Sequence, residues 1–400
     1  MPTQDYAETE AEGVPMIRVT NMMPDGTIDM TDTKYIPFDT PRLDIKRVKE
    51  NDILMVQCGS TTGKVALVPK ELENYTFGSF SFVIRGKSKL VTQEYLFAIL
   101  LSPFIQEQIK QTRNVVTVRP NTSKPSIENL LIPLLPLEEQ SEIGQKLLEA
   151  YEEKRKREEE IRTILASVDD FVLGELGIGI ERVTKPSSET YVIWSDAINN
   201  RLDPMYFHPA RLRAIEAIRM SGQQIASLAE VAEFRRELVG EIPESVPYVG
   251  LENIVSNSGE YVETGEKESI SSAFVFQKGD VLFPKLRPYL NKVFYADYEG
   301  VCSTEFHVLR AQKCQPFYLF AFLSRSVVVE QTSRLMTGNT LPRLQTEDVE
   351  NLLVPLPSEE KQAKIKDGVR ASYSRMRTLR SQAAAILEDA QKQVEQMIVE

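Results

Sequence analysis

The chain repeats itself. The segment YLFAILLSPFIQEQ, Tyr95 to Gln108, aligns without gaps on YLFAFLSRSVVVEQ, Tyr318 to Gln331, with identity at 7 of 14 positions. Upstream, VPMIRVTNM from Val14 matches VPYVGLENI from Val246, and NDILMVQCGSTTGKVALV from Asn51 matches GDVLFPKLRPYLNKVFYA from Gly279. Downstream, ENLLIPLLPLEEQSEI from Glu128 matches ENLLVPLPSEEKQAKI from Glu350. The offset drifts from 232 to 222, as loops of unequal length between fixed elements would make it. Such self-similarity restricts the fold to two copies of one unit, and 400 residues give each copy enough chain to bury a core of its own.

Each unit opens with short β-branched runs such as MIRVTN, DILMVQ and KVALV, bounded by Gly, Pro, Asn and Asp, which predict strands. The YLFA segment has helical spacing and is expected as one core helix. A Pro-punctuated tether, IPLLPL or VPLPSEE, then leads into a long charged helix. In the C-terminal helix, steps of four and three pass through Ile365, Val369, Ser372, Met376, Leu379, Ala383, Ile386, Ala390, Gln393 and Met397, of which eight are apolar. The same register earlier in the chain falls on Ile143, Leu147, Ala150, Lys154, Arg157, Ile161, Ile164, Val168 and Phe171, seven of them apolar. A sustained period of 3.5 is a coiled-coil seam. Lys154 and Arg157 interrupt the first seam and are equally consistent with a solvated face. The fold class expected is therefore α+β: two tandem strand-rich mixed domains joined by two long helices that form an antiparallel coiled coil with pseudo-twofold symmetry. About 33 helical residues at about 1.5 Å each make a spacer of about 50 Å, one to two turns of B-DNA at about 34 Å per turn.

Composition excludes several classes. Apolar residues at 42% and charged residues at 26% match a globular protein, and the longest apolar stretch, Tyr95 to Leu101, is far short of the roughly 20 residues of a spanning helix. The acidic start MPTQDYAETEAEG lacks the basic and apolar regions of a signal peptide, so a cytoplasmic protein with no membrane partner is expected. Cys58, Cys302 and Cys314 cannot all pair and have no C-x-x-C spacing, which fits a reducing compartment. The net charge of -11 argues against nucleic acid when averaged over the molecule. Its distribution does not: residues 1–45 carry 3 Lys/Arg against 9 Asp/Glu, residues 46–124 carry 12 against 6, and residues 278–343 carry 9 against 5. Two basic islands leave room for a phosphate-binding surface.

The order of these parts resembles the specificity subunit of type I restriction-modification enzymes. The resemblance rests on Asp52-Ile53-Leu54 and Asp280-Val281-Leu282, on the tethers Asn129 to Gln140 and Asn351 to Gln362, on Arg201-Leu202-Asp203 opening the second unit, and on a helix after each tether. It covers nearly the whole chain. It implies target recognition domains at 1–137 and 179–357, each reading one half of a split sequence in double-stranded DNA, and coiled-coil helices at 138–178 and 358–400. The helices would dock DNA adenine methyltransferase subunits and, through them, a restriction and translocase subunit. In one respect the pattern is departed from. Some fifty residues separate Trp194 from Val246, whereas 13 precede Val14, so unit one lacks the head typical of the family. A truncated start, a strand from another chain and a circular permutation are all consistent with this.

No catalytic constellation is apparent. Asp203-Pro204-Met205-Tyr206 lacks the second proline of an adenine methyltransferase motif and has no Gly-rich loop upstream, no P-loop is present, and His208 and His307 have no ligand partner at useful spacing. A non-catalytic protein without cofactor or metal is expected. For binding, the loop after each strand-opening turn offers side chains to a groove: Gln57, Ser60, Thr61 and Lys64 in unit one, and Lys285, Arg287, Tyr289, Asn291 and Lys292 in unit two. Arg and Lys can pair with guanine and Asn with adenine, while short polar groups suit phosphates. The stretch before each tether adds Arg113, Arg119 and Asn121, and Asn339, Thr340 and Arg343. Tyr151 and Tyr373 are expected on outward helix faces where partner subunits dock. A coiled-coil adaptor with two protein-binding domains is the alternative reading.

Overall fold

The structure is a computed structural model that describes all residues except 1–5, 8, 31, 41–46, 88, 113–120, 180–191, 195–197, 199–202, 241–244, 265–271, 334, 338–340 and 400. The chain divides into two compact units, Met1–Glu158 with Arg380–Glu400, and Glu159–Leu379.

Unit 1 contains β1 (Gly13–Ile17), β2 (Lys34–Pro37), β3 (Ile53–Val56), β4 (Val65–Leu67), β5 (Thr76–Phe77) and β6 (Ser81–Ile84). These form two three-stranded sheets, β2-β1-β5 and β4-β3-β6. Helices α1 (Gln93–Leu101), α2 (Pro103–Thr112) and α3 (Lys124–Glu128) follow, and α4 (Leu137–Leu176) begins in this unit. Four-residue β3 is wholly buried, as its unbroken apolar run ILMV requires.

Unit 2 contains α5 (Pro209–Arg219), β7 (Gln224–Ser227), α6 (Leu228–Val231), β8 (Ala232–Arg235), β9 (Leu238–Val239), β10 (Tyr248–Val249), β11 (Ala273–Phe276), β12 (Val281–Pro284), β13 (Phe294–Tyr295), β14 (Gly300–Cys302) and β15 (Phe306–Ala311). After them come α7 (Pro316–Leu323), α8 (Ser326–Thr332), α9 (Thr346–Glu350), β16 (Leu353–Leu356) and the first part of α10 (Glu359–Val399), which from Arg380 onward belongs to unit 1. Its sheets are ordered β10-β14-β11-β9, β13-β12-β15-β8 and β16-β7.

Buried polar side chains bear out the repeat more sharply than the apolar ones. Asp52, just before β3, accepts the amide of Lys49 at 2.8 Å and a two-pronged contact from Arg85 at 2.6 and 2.7 Å. Asp280, just before β12, accepts the amide of Gln277 at 2.8 Å and the fork of Arg310 at 2.9 and 3.0 Å. Tyr95 donates its hydroxyl to the carbonyl of Pro133 at 2.9 Å, and Tyr318 donates to Pro355 at 2.7 Å, fixing each tether to the helix beneath it. Gln140 accepts from the amide of Thr92 and donates to the carbonyls of Leu90 and Leu135. Gln362 accepts from Gln315 and donates to Pro357 in the same way. Buried donors and acceptors must be satisfied, so residues that satisfy a turn persist where apolar neighbours drift.

The YLFA segment is two helices in each unit, not the single one expected. In unit 1 Ser102 is extended, at φ -61° and ψ 146°, ahead of Pro103 at the start of α2. A residue before proline is pushed out of the helical region. In unit 2 the break falls at Ser324 and Arg325, the latter extended at φ -94° and ψ 156°.

The facing segments of α4 and α10 run antiparallel. Within unit 2 Lys364 pairs with Glu175 at 2.8 Å and Arg375 with Glu160 at 2.9 Å, so positions rise along one helix as they fall along the other. Gly368 lies against Phe171, where a Cβ would come within 2.5 Å of the ring. Within unit 1 Ile143, Leu147 and Ala150 share a core with Leu387, Ala390 and Val394. The buried stripe of α10 includes Tyr373, Leu387 and Val394, where strict alternation predicts Ser372, Ile386 and Gln393. The stripe thus drifts toward the 3.6 residues per turn of an ordinary helix. Helix α4 ends in a left-handed glycine, Gly177 at φ +73°, with the amide of Ile178 returning to the carbonyl of Leu173 at 2.8 Å. Among the described residues, no helix is long and apolar enough to cross a membrane.

Candidate nucleic-acid interface

The two loops singled out in each unit meet on one surface. In unit 1, Cys58 and Asn121 form an antiparallel bridge, the amide of Thr122 donates to the carbonyl of Gln57 at 3.0 Å, and the amide of Gln57 donates to Phe80 at 2.7 Å. In unit 2, Leu286 and Arg343 form the bridge, the amide of Leu344 donates to the carbonyl of Lys285 at 3.0 Å, and the amide of Lys285 donates to Glu305 at 2.8 Å. The same three chain segments are therefore stitched together at equivalent positions. Phe80 and Glu305, at the third segment, carry no sequence signal beyond their place before β6 and β15.

The frame is shared and the side chains are not. In unit 1 the loop is closed by Thr62, buried, whose amide and hydroxyl both reach the carbonyl of Gly59, and by Gly63 at φ +90°, a backbone conformation a side chain would strain. Ser60 and Asn121 are exposed, Gln57 and Thr61 half-buried, and the Phe80 ring is 44% exposed. In unit 2, Arg287 is exposed in the left-handed region, at φ 48° and ψ 54°, and its amide donates to the carbonyl of Pro342 at 2.8 Å. Tyr289 is 45% exposed. Arg343 forks onto Glu305 at 3.0 and 2.7 Å, which holds its guanidinium above the usual range.

Several expected readers are committed inside their own unit. Asn291 is buried at φ 49°, and its amide nitrogen donates to the carbonyl of Ser324 at 2.9 Å and the side chain of Asn257 at 3.1 Å, so it shapes the loop and does not face a groove. Lys64 donates to the carbonyl of Met22 at 3.1 Å, and Lys292, its counterpart, to Leu251 at 2.8 Å. Lys285 donates to Thr304 at 2.8 Å with its ammonium 4.9 Å from the Phe274 ring centre. Burial lowers the pKa of all three lysines. Each has traded a phosphate-seeking role for a main-chain carbonyl that water no longer covers. Arg113, Arg119, Asn339 and Thr340 lie outside the described residues.

The two tyrosines expected on outward faces point inward. The Tyr151 hydroxyl donates to the carbonyl of Asp25, and its ring lies 5.6 Å from that of Phe97. Tyr373 is 9% exposed, accepts from Arg325 at 2.8 Å and meets the Phe320 ring edge-on at 6.1 Å. Large aromatic area on a helix beside a sheet-and-helix core is buried there first. Lys154, which interrupts the apolar seam, pairs with Asp25 and with Glu158 at 3.4 Å.

The groups considered for catalysis have structural surroundings. Asp203 accepts the amide of Met205 at 3.0 Å in the turn before α5, and Arg211 lies over the Tyr206 ring at 4.1 Å. His208 caps α5 by accepting the amide of Ala210 at 3.2 Å. His307 is buried on β15 against Phe234, and burial, with Lys285 and Arg236 nearby, pushes its pKa down to about 3. Cys302 is buried, which pushes its thiol up to about 12. Among the described residues no group of His, Cys, Asp and Glu is placed to hold a metal ion.

The two units thus share one main-chain frame and present different side chains from it. The chain belongs to the type I restriction modification DNA specificity domain family, whose pattern matches residues 1–163 and again 224–386. It is similar to the type I restriction enzyme MjaVIII specificity subunit of Methanocaldococcus jannaschii, 22% identical over 391 residues that cover 88% of this chain and 79% of that one. A shorter match, 24% identical over 132 residues, covers 33% of this chain and 30% of the type I restriction enzyme EcoDI specificity subunit of Escherichia coli. Among solved structures it is similar to the type I restriction-modification S subunit from M. genitalium, with a TM-score of 0.42 and 14% identity over 98% of this chain and 93% of that one.

Proposed function

We propose that the protein reads a bipartite target in double-stranded DNA, one half-site through each three-segment surface, and directs methyltransferase and restriction subunits to it. It does so in the cytoplasm and without catalysing a reaction itself. The observation that carries the reading is the shared frame with divergent side chains. Gln57, Ser60, Thr61, Phe80 and Asn121 are presented where unit 2 presents Arg287, Tyr289, Glu305 and Arg343. An exposed arginine and tyrosine on one surface, and amide, hydroxyl and phenyl groups on the other, suit different base edges. Two half-sites of different sequence follow.

A salt series tests the reading. Binding to duplex DNA should weaken log-linearly with salt, with a slope of about -0.9 per phosphate neutralised. A salt-independent affinity, or none for any duplex, would leave the adaptor reading in its place. The purified chain should transfer no methyl group from labelled S-adenosylmethionine to DNA, and deletion of residues 365–400 should abolish association with methyltransferase subunits.

A further inference from the structure

The loop surface of unit 2 carries a charged pair that neither stability nor phosphate contact accounts for. Arg343 forks onto Glu305 through Nε at 3.0 Å and Nη2 at 2.7 Å, and the two side chains are 45% and 29% exposed. An ion pair this open to water adds little to stability, and a carboxylate on a surface that meets phosphates weakens their attraction. Both residues are pinned to the main chain of one neighbour. The amide of Lys285 donates to the carbonyl of Glu305 at 2.8 Å, and the carbonyl of Lys285 accepts the amide of Leu344, next to Arg343, at 3.0 Å. Arg343 also exchanges two main-chain bonds with Thr337, each at 2.9 Å. The Lys285 ammonium bonds the carbonyl of Thr304 at 2.8 Å, leaving the carboxylate to Arg343.

The fork takes up one edge of the guanidinium, Nε and one hydrogen of Nη2. The other edge, Nη1 with the second hydrogen of Nη2, has two parallel donors of the kind that match guanine O6 and N7. Each carboxylate oxygen of Glu305 keeps a lone pair, and a carboxylate is the side-chain group that accepts from cytosine N4. Guanine O6 and cytosine N4 are neighbours on the major-groove edge of one base pair, so an arginine and a carboxylate already joined side by side match both of its halves. A reader held in this form has little freedom left to lose on binding. In unit 1 the equivalent positions carry Asn121, at the bridge, and Phe80, whose carbonyl accepts the amide of Gln57 at 2.7 Å. An amide and a phenyl ring cannot make the same two contacts.

We infer that Arg343 and Glu305 act as one reader of a single G·C pair in the second half-site, Arg343 on guanine and Glu305 on cytosine. The inference rests on the DNA-reading proposal and gives one position of the target a base identity. Glu305 has two parts in it: it aims the guanidinium, and it accepts from the opposite base.

The test is binding-site selection with the full chain at one fixed salt concentration, followed by competition among duplexes that carry each base pair at a single position. The wild-type chain should hold one position of the second half-site to G·C by about tenfold or more over the next base pair. Arg343→Lys keeps the charge and loses the fork, and Glu305→Gln keeps the shape and loses the charge. Each should flatten that position, leave the others as they were, and leave the Tm of the chain unchanged, both side chains being partly exposed. Together they should cost little more discrimination than either alone, because groups that act as a unit are not additive. A duplex with 2-pyrimidinone, cytosine without its amino group, opposite that guanine should bind the wild-type chain more weakly and Glu305→Gln no more weakly than before. Equal weakening of both overturns the inference, as does a half-site unchanged in Arg343→Lys. So does an even rise in affinity for every duplex in Glu305→Gln, which would make the carboxylate only a damper of phosphate attraction. In those cases the wild-type chain still selects two half-sites and the DNA-reading proposal stands, whereas a wild-type chain that selects no site removes both.

Discussion

The amide of Arg287 donates to the carbonyl of Pro342 at 2.8 Å, so the loop that follows β12 and the loop that precedes α9 are one surface. Arg287 is held in the left-handed region by this contact and by the turn it begins, while its side chain stays exposed. Arg287→Ala should therefore leave the fold intact. If the guanidinium pairs with a base, the substitution should cost about 1–3 kcal/mol in DNA affinity and relax one position of the second half-site. Competition with single-position variants of the selected site measures both.

Asn291 should behave in the opposite way. Its side chain is buried and its amide serves Ser324 and Asn257, so Asn291→Ala leaves the Ser324 carbonyl without that donor and puts at φ 49° a residue that enters the left-handed region less readily than asparagine. A loss of about 1–3 kcal/mol in unit 2 stability is expected. The base preference should not change on its own account, and denaturant unfolding followed in parallel with DNA selection separates the two effects.

The buried carboxylates before β3 and β12 should be interchangeable in consequence. Asp52→Asn and Asp280→Asn each remove the charge that faces a forked arginine and turn one of its two acceptor oxygens into a donor, and each should lower the stability of its own unit by about 2 kcal/mol. Hydrogen exchange resolved by unit should show the loss confined to the unit that carries the substitution.

His307 gives unit 2 a pH dependence of definite sign. Its folded pKa, about 3, lies below the unfolded value of about 6.5. The unfolded chain therefore binds the proton first, and the contribution of the buried neutral ring is lost as pH falls from about 6.5 toward 3. The slope due to this residue should be about 1.4 kcal/mol per pH unit in that window. In His307→Phe the wild-type minus variant difference should carry that slope, and a pH-independent difference would show that the ring is not buried neutral.

Much of this was legible in the residues themselves. The repeat, the strands before the YLFA segment, the two long helices and the loops that meet on each surface follow from apolar period and from punctuation by Gly, Pro and Asp. The paired loops lie far apart in the chain, and only the bridges Cys58–Asn121 and Leu286–Arg343 join them. What could not be read was the direction of individual polar side chains. Lys64 and Lys292 carry a residue type that reads as phosphate contact, and the approach of the carbonyls of Met22 and Leu251, a tertiary event, redirects them inward. Tyr151 and Tyr373 were expected to face outward for a related reason: a seam drawn at a fixed 3.5-residue period passes beside them, while the helices bury a wider stripe. Phe80 and Glu305 enter the surface through main-chain contacts, to which the side-chain alphabet gives no clue.

If each three-segment surface reads its own half-site, the two half-sites can be altered separately. Binding-site selection from a randomised duplex library at one fixed salt concentration, run with the wild-type chain, with Arg287→Ala plus Tyr289→Ala, and with Ser60→Ala plus Phe80→Ala, tests it most directly. The first pair should blur the second half-site and leave the first sharp, and the second pair should do the reverse. Two half-sites that emerge unchanged from both variants, at unchanged affinity, would contradict the account.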